Sequence, residues 1–311
     1  MTQGKSIFYD QGTGFKARCR TLVRTSLLCI LLLLGVGVLP AGAASPWKWQ
    51  FGLKTSIPDM PVKFPTGMFV DQERERYYVA DAETGSLHSY DKNGKYLNSF
   101  KPGNNLNQPF SLVRDAQDML WVVEKGRNTL TKIDLKGKKL EPKSLKADGR
   151  DIYPDRILLH DGSFYILDKL SGDIVVFDSS LKSGRVFACS DCSGGFIDFA
   201  IKSGQVWGLA RSEKAVYRFS DAGVPAGKIK LDGDLAFPYA IEIGAANLLY
   251  VLDRHDGSIA VFDQSGVFKY RFLERGHTRG KLYYPEDILF DPWGRLCIVD
   301  AGNGRVEVFG R

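Results

Sequence analysis

The sequence predicts an all-β fold: a six-bladed β-propeller of four-stranded antiparallel blades, closed by a strand from the mature N-terminus. Three observations predict it. A segment of similar character returns every 42–47 residues. Each return contains short strands separated by polar turns. The last return stops one strand short, while a spare strand lies ahead of the first. Self-similarity at this period marks arrays whose units cannot bury their own faces and must pack on their neighbours.

Each repeat opens in a similar way. Phe64-Pro65, Gln108-Pro109, Tyr153-Pro154, Phe237-Pro238 and Tyr284-Pro285 are five openings, and Gly195-Phe196 supplies the sixth between Pro154 and Pro238. A short strand follows each: Gly67–Val70, Ser111–Val113, Ile157–Leu159, Ile197–Ile201, Ala240–Ile243 and Asp287–Phe290. The next strand is apolar and ends in a carboxylate, at Asp81, Glu124, Asp168, Asp253 and Asp300. The fourth unit departs from this pattern and ends at Ala210. Continuous apolar runs suit strands covered on both faces.

Nine residues later stands an aromatic residue or Ile: Tyr90, Ile133, Phe177, Phe219, Phe262 and Phe309. Turns such as Asp91-Lys92-Asn93-Gly94 then lead to a fourth strand, as at Lys95–Phe100 or Phe268–Leu273. The sixth unit ends at Arg311 without one, and residues 47–53 are predicted to pair beside Arg305–Phe309. Such pairing removes an open sheet edge.

The first 44 residues read as a signal peptide rather than as fold. Arg18, Arg20 and Arg24 precede the apolar run Leu27–Leu39, and Pro40 and Ala41-Gly42-Ala43 follow. The run is shorter than the ~20 residues a bilayer span needs. A cut after Ala43 or Ala44 would leave residues 45–311 as the propeller, periplasmic or secreted and without a transmembrane span. This segment holds five cations and one Asp, a net +4 of the chain's +6, so about +2 remains on the rest. So small an excess argues against nucleic acid as a partner.

The last repeat carries a family resemblance. Tyr284-Pro285-Glu286-Asp287-Ile288, then Cys297-Ile298-Val299-Asp300-Ala301-Gly302-Asn303-Gly304-Arg305-Val306 and Val308-Phe309, resembles the NHL repeat, and the resemblance extends over residues 47–311. It implies a propeller. It does not imply one activity, since the family includes sensors, scaffolds, RNA binders and a few enzymes.

Several residues are candidates for chemistry. The strand-ending carboxylates are expected to hold turns through backbone N–H groups. The loops behind them carry Lys125, Arg127, Lys169, Arg211, Arg254 and His255, which the repeat places on one face. That face is the expected docking surface for an acidic partner. Asp155, Arg156, Asp198, Tyr239, Glu286 and Asp287 begin inner strands near the same mouth and are expected to line a central pocket. Cys189 and Cys192 have C-x-x-C spacing; export favours a local disulfide. Cys297 reads as core.

No metal site, cofactor site or catalytic set is predicted. The NHL-like peptide-amide lyase uses several His around zinc, but His88, His160, His255 and His277 occupy different places in their repeats. Six-bladed lactonases bind calcium through inner Glu, Asn and Asp; the inner openings here offer Asp198, Glu286 and Asp287 but no Asn. The sequence-based expectation is therefore a monomeric, non-catalytic binding or scaffold propeller. Its partner would be a cell-envelope or extracellular protein, with a glycan or a peptide as the other choices. A metal-dependent lactonase or lyase using the central channel is the alternative.

Overall fold

The computed structural model describes residues 46–55, 61–103 and 106–311. The predicted signal segment lies outside the described residues. The chain is all-β, with six four-stranded antiparallel sheets and two 3-10 turns as its described helical elements. The sheets form the blades of a propeller ring.

Blade 1 comprises Pro65–Asp71, Arg76–Asp81, Ser86–Asp91 and Tyr96–Phe100. Blade 2 runs from Pro109 to Lys143, blade 3 from Pro154 to Phe187, blade 4 from Asp198 to Lys230 and blade 5 from Pro238 to Phe272. Blade 6 is assembled from Asp287–Phe290, Leu296–Asp300, Arg305–Gly310 and the distant strand Lys48–Leu53. In that last pairing Lys48 faces Gly310 and Leu53 faces Val306, with a register shift between Trp49 and Phe51. Trp47 packs among Tyr250, Phe272 and Phe290, and the Trp49 indole N–H donates to Glu307.

The second and third strands carry the core. Tyr77, Leu120, Ile166, Val251 and Ile298 are fully buried, so the apolar runs lie between neighbouring sheets. Burying side chains of this size contributes about 1.5–3 kcal/mol each. Blade 4 keeps the full pattern despite Ala210, which pairs with Ala215.

In five blades the terminal carboxylate binds the chain entering the blade. Asp81 accepts from the backbone N–H of Lys63, Phe64, Glu83 and Thr84. Glu124 accepts from Asn107, Asp168 from Tyr153, Asp253 from Ala236 and Phe237, and Asp300 from Tyr283. All five carboxylates are buried. In blade 4 the entering segment is instead held by backbone bonds, Ile197 N–H to Leu209 and Phe196 N–H to Gly172. Gly195 sits so close to Gly172 that a Cβ there would fall 2.6 Å from its Cα.

A short hairpin, Leu145–Ala147 with Arg150–Ile152, is inserted between blades 2 and 3. It is absent from the sequence-based reading because it fits inside a spacing of ordinary length. Cys189 and Cys192 are joined by a disulfide, and Cys297 is a free, fully buried thiol.

Candidate functional site

The opening proline sets the geometry of the channel mouth. Proline has no N–H to give to the ladder, and a register shift follows it in blades 1, 2, 3 and 5. Such bulges re-aim the side chain that follows. The position after the opening holds Thr66, Phe110, Asp155, Ile197, Tyr239 and Glu286 in blades 1 to 6. All six line two adjoining cavities, of about 480 and 350 Å³, at one end of the channel. Phe110, Tyr239 and Glu286 border both cavities.

The next position forms a ring one residue deeper: Gly67, Ser111, Arg156, Asp198, Ala240 and Asp287. Three members are charged and they satisfy one another. Arg156 Nε lies 2.8 Å from Asp198 Oδ1, and its Nη1 lies 2.6 Å from Asp287 Oδ1. Asp198 Oδ2 also accepts the Ile241 N–H at 2.7 Å. Burial pushes the Asp198 carboxyl up to about 7, against the opposing pull of Arg156. Burial also opposes the Arg156 charge, but the two carboxylates more than offset it. Glu242, below them on the blade 5 inner strand, is pushed up to about 7 by its enclosure.

The mouth itself is a set of cation–ring contacts. The Lys125 ammonium sits 3.1 Å from the Phe110 ring centre and 2.7 Å from Asp155 Oδ1. Burial lowers its pKa, partly countered by Asp155. Arg254 lies over Tyr239 and ion-pairs with Glu286, which also accepts the Tyr239 O–H at 2.6 Å. Burial raises both Tyr239 and Glu286. Arg211 lies 4.1 Å from the Phe237 ring centre and donates from Nε to the Pro238 carbonyl. Burial, followed in effect by Tyr239 in its favour and Arg254 against it, leaves the Arg211 pKa lowered.

The structure separates the expected basic face into two kinds of charge. Arg127 ion-pairs with Glu124, so its role is in the turn and it lines neither cavity. His255 stacks on Phe237 at 4.3 Å, exposed and outside both cavities. Lys125 and Arg254 are matched by carboxylates. Lys169 and Arg211 line the smaller cavity without a carboxylate partner among the described residues. Of the basic loop residues, Lys125, Arg127 and Arg254 are ion-paired, whereas Lys169 and Arg211 have no carboxylate partner among the described residues.

Thr66, Phe110 and Ile197 are mouth residues that the sequence-based reading did not single out. Their signal was available: they share the repeat position of Asp155, Tyr239 and Glu286.

Among the described residues, no cluster of three or more His, Cys, Asp or Glu side chains has the geometry to hold a metal ion. The axial carboxylates of Asp198 and Asp287 already share a guanidinium, which takes the position a bound cation would need. The residues present thus do not fit the metal that the lactonase or lyase alternative requires.

No protein-family model matches the chain, and no curated protein matches it by sequence. The NHL resemblance rests on its motif residues alone. Solved structures do match. One is the virginiamycin B lyase of Staphylococcus aureus, at TM-score 0.61 and 13% identity, covering 85% of this chain and 99% of that one. A streptogramin B lyase matches at 0.62 and 14%, covering 85% and 97%. A gluconolactonase from Xanthomonas campestris matches at 0.60 and 12%, covering 80% and 86%. The chain is a six-bladed β-propeller whose structural neighbours include lyases and a lactonase. At these identities the likeness concerns the fold.

Proposed function

We propose that the chain is an exported, non-catalytic binding propeller that takes an acidic group of a cell-envelope or extracellular partner at the channel mouth. One observation carries this reading: Lys169 and Arg211 line a cavity of about 350 Å³ and, among the described residues, have no carboxylate partner, because the cavity's Asp155, Asp198 and Glu286 are paired with Lys125, Arg156 and Arg254. An acidic ligand would complete charges that the fold leaves open, while ring stacking holds Arg211 in place. The axis supports the same reading, because Arg156 already satisfies the acids that a metal-dependent reaction would recruit.

The lactonase or lyase alternative draws on the structural neighbours. It requires stoichiometric divalent metal and chelator-sensitive turnover of a lactone or ester panel; finding both overturns the non-catalytic reading. The direct test is affinity capture from a cell-envelope extract with the wild type and with Lys169→Glu/Arg211→Glu. The expected result is a partner retained by the wild type and lost by the double variant, with unchanged thermal stability. Retention of the same partners by both would show that the mouth is not the docking surface.

A further inference from the structure

We infer that the ligand group is a carboxylate attached next to an aromatic or large apolar group, bound across both mouth cavities; this rests on the mouth being the binding surface. The two cavities differ in character. The smaller holds the unmatched Lys169 and Arg211. The larger presents the Phe64 and Phe110 rings and Ala82 beside Thr66, Gln108 and the ion-paired Glu83, Lys125 and Arg254. Phe110, Tyr239 and Glu286 border both, so one short ligand can reach from one into the other.

Each compartment selects by a different force. In the smaller, Arg211 uses Nε on the Pro238 carbonyl, and its two Nη groups have no hydrogen-bond partner among the described residues. The guanidinium carbon lies 4.1 Å from the Phe237 ring centre, a contact that helps hold the group without neutralising it. An oriented, unpaired fork matches a carboxylate, and Lys169 adds a second positive charge. The negative charges nearby are already engaged: Asp155 by Lys125, Glu286 by Arg254 and Tyr239, and Asp198 by Arg156. They would therefore not repel an entering anion as free carboxylates would. In the larger compartment the Phe64 ring, and the part of Phe110 that Lys125 does not cover, offer apolar surface, and burying a ring there favours a ligand with its own apolar end. The Arg254 Nε is a further buried donor without a hydrogen-bond partner, at the edge of that compartment.

Two sources carry this chemistry: the C-terminus of a peptide ending in a large apolar residue, and a free aromatic acid. Isothermal titration calorimetry distinguishes them with four probes: acetyl-Gly-Phe with a free carboxylate, its C-terminal amide, acetyl-Gly-Gly with a free carboxylate, and 3-phenylpropionate. Ligands of this size are expected to bind with Kd of about 0.1–1 mM. The amide and the Gly-ended peptide should each bind roughly tenfold more weakly than acetyl-Gly-Phe, the scale of one charge-assisted hydrogen bond or one buried ring. Arg211→Gln and Lys169→Met should each bring a similar loss for the acid and none for the amide, with melting temperature unchanged as the folding control. Equal binding by 3-phenylpropionate assigns the site to small aromatic acids, whereas binding confined to acetyl-Gly-Phe assigns it to peptide C-termini. Equal affinity for acid and amide, or no binding by either acid, overturns the inference. If capture of an envelope partner still depends on Lys169 and Arg211 in that event, only the ligand class fails and the docking surface stands.

Discussion

Two rings of side chains, two residues apart along the same six strands, have opposite character. The mouth ring is Thr66, Phe110, Asp155, Ile197, Tyr239 and Glu286, six residue types at one repeat position. The core ring is Met68, Leu112, Ile157, Phe199, Ile241 and Ile288, all apolar and all buried. Blade-to-blade packing imposes one requirement on the core ring, because an interior at crystal-like density tolerates little else. The mouth ring borders the two cavities instead of a purely apolar interface, so its residues can differ from blade to blade even where, as at Thr66 and Glu286, they are buried. The difference teaches that a propeller keeps its ring uniform where sheets pack apolar side chains together and places its chemistry where the strands open toward the channel mouth.

The comparison presupposes a ring whose last blade is complete. Deleting residues 48–53 would expose the edge of Arg305–Gly310 and remove the burial of Leu53. A fall in melting temperature of about 10 °C or more is expected, since several kcal/mol of pairing and burial are lost at a few degrees per kcal/mol. An unchanged melting temperature would show that the strand does not lock the ring.

A pair of substitutions in one strand tests the contrast itself. Ile241→Ala in the core ring should cost about 2–5 kcal/mol, measured by urea unfolding, through lost burial and the cavity left behind. Tyr239→Phe in the mouth ring removes the hydrogen bond to Glu286 and should cost only about 0.5–1.5 kcal/mol. If the two cost the same, the rings do not differ in the way their composition suggests.

The smallest expected effect is a pH dependence just below the rings. Glu242 is held up at about 7 in the folded chain by its enclosure. A carboxyl whose folded pKa is raised binds its proton more tightly in the folded state. Its stabilising contribution is therefore present at acid pH and is lost as pH rises through about 7. Raising pH from about 5 to about 8 should lower the melting temperature of the wild type relative to Glu242→Gln by roughly 2 °C or more. A constant difference across that range would show that Glu242 does not titrate there.

The fold was legible because its signals are local and recur. Proline openings, apolar runs and terminal carboxylates lie within a few residues of one another, and each is repeated. The candidate site was legible only in part. The sequence shows where Lys125, Arg127, Arg211 and Arg254 stand, but neutralisation depends on pairing. Arg127 meets Glu124 within its own turn, whereas Lys125 meets Asp155 and Arg254 meets Glu286 across blades. Arg156 and Asp287 are 131 positions apart and meet only because the ring brings their strands to the axis. The inserted hairpin was hidden for a different reason: residues 145–152 replace ordinary connecting chain without lengthening the repeat.

The composite sixth blade also has a temporal consequence. The Trp49 indole reaches Glu307 across 258 positions, so the contact joins segments made at widely separated moments of synthesis. Five blades consist of consecutive strands and can form as soon as their own residues are free. The sixth must wait for its outer strand to meet a partner from the far side of the sequence, a non-local search that is slow compared with forming local hairpins. A partly emerged chain can therefore hold finished blades while its ring remains open, which gives any process that threads or captures the unfolded chain an interval in which to act.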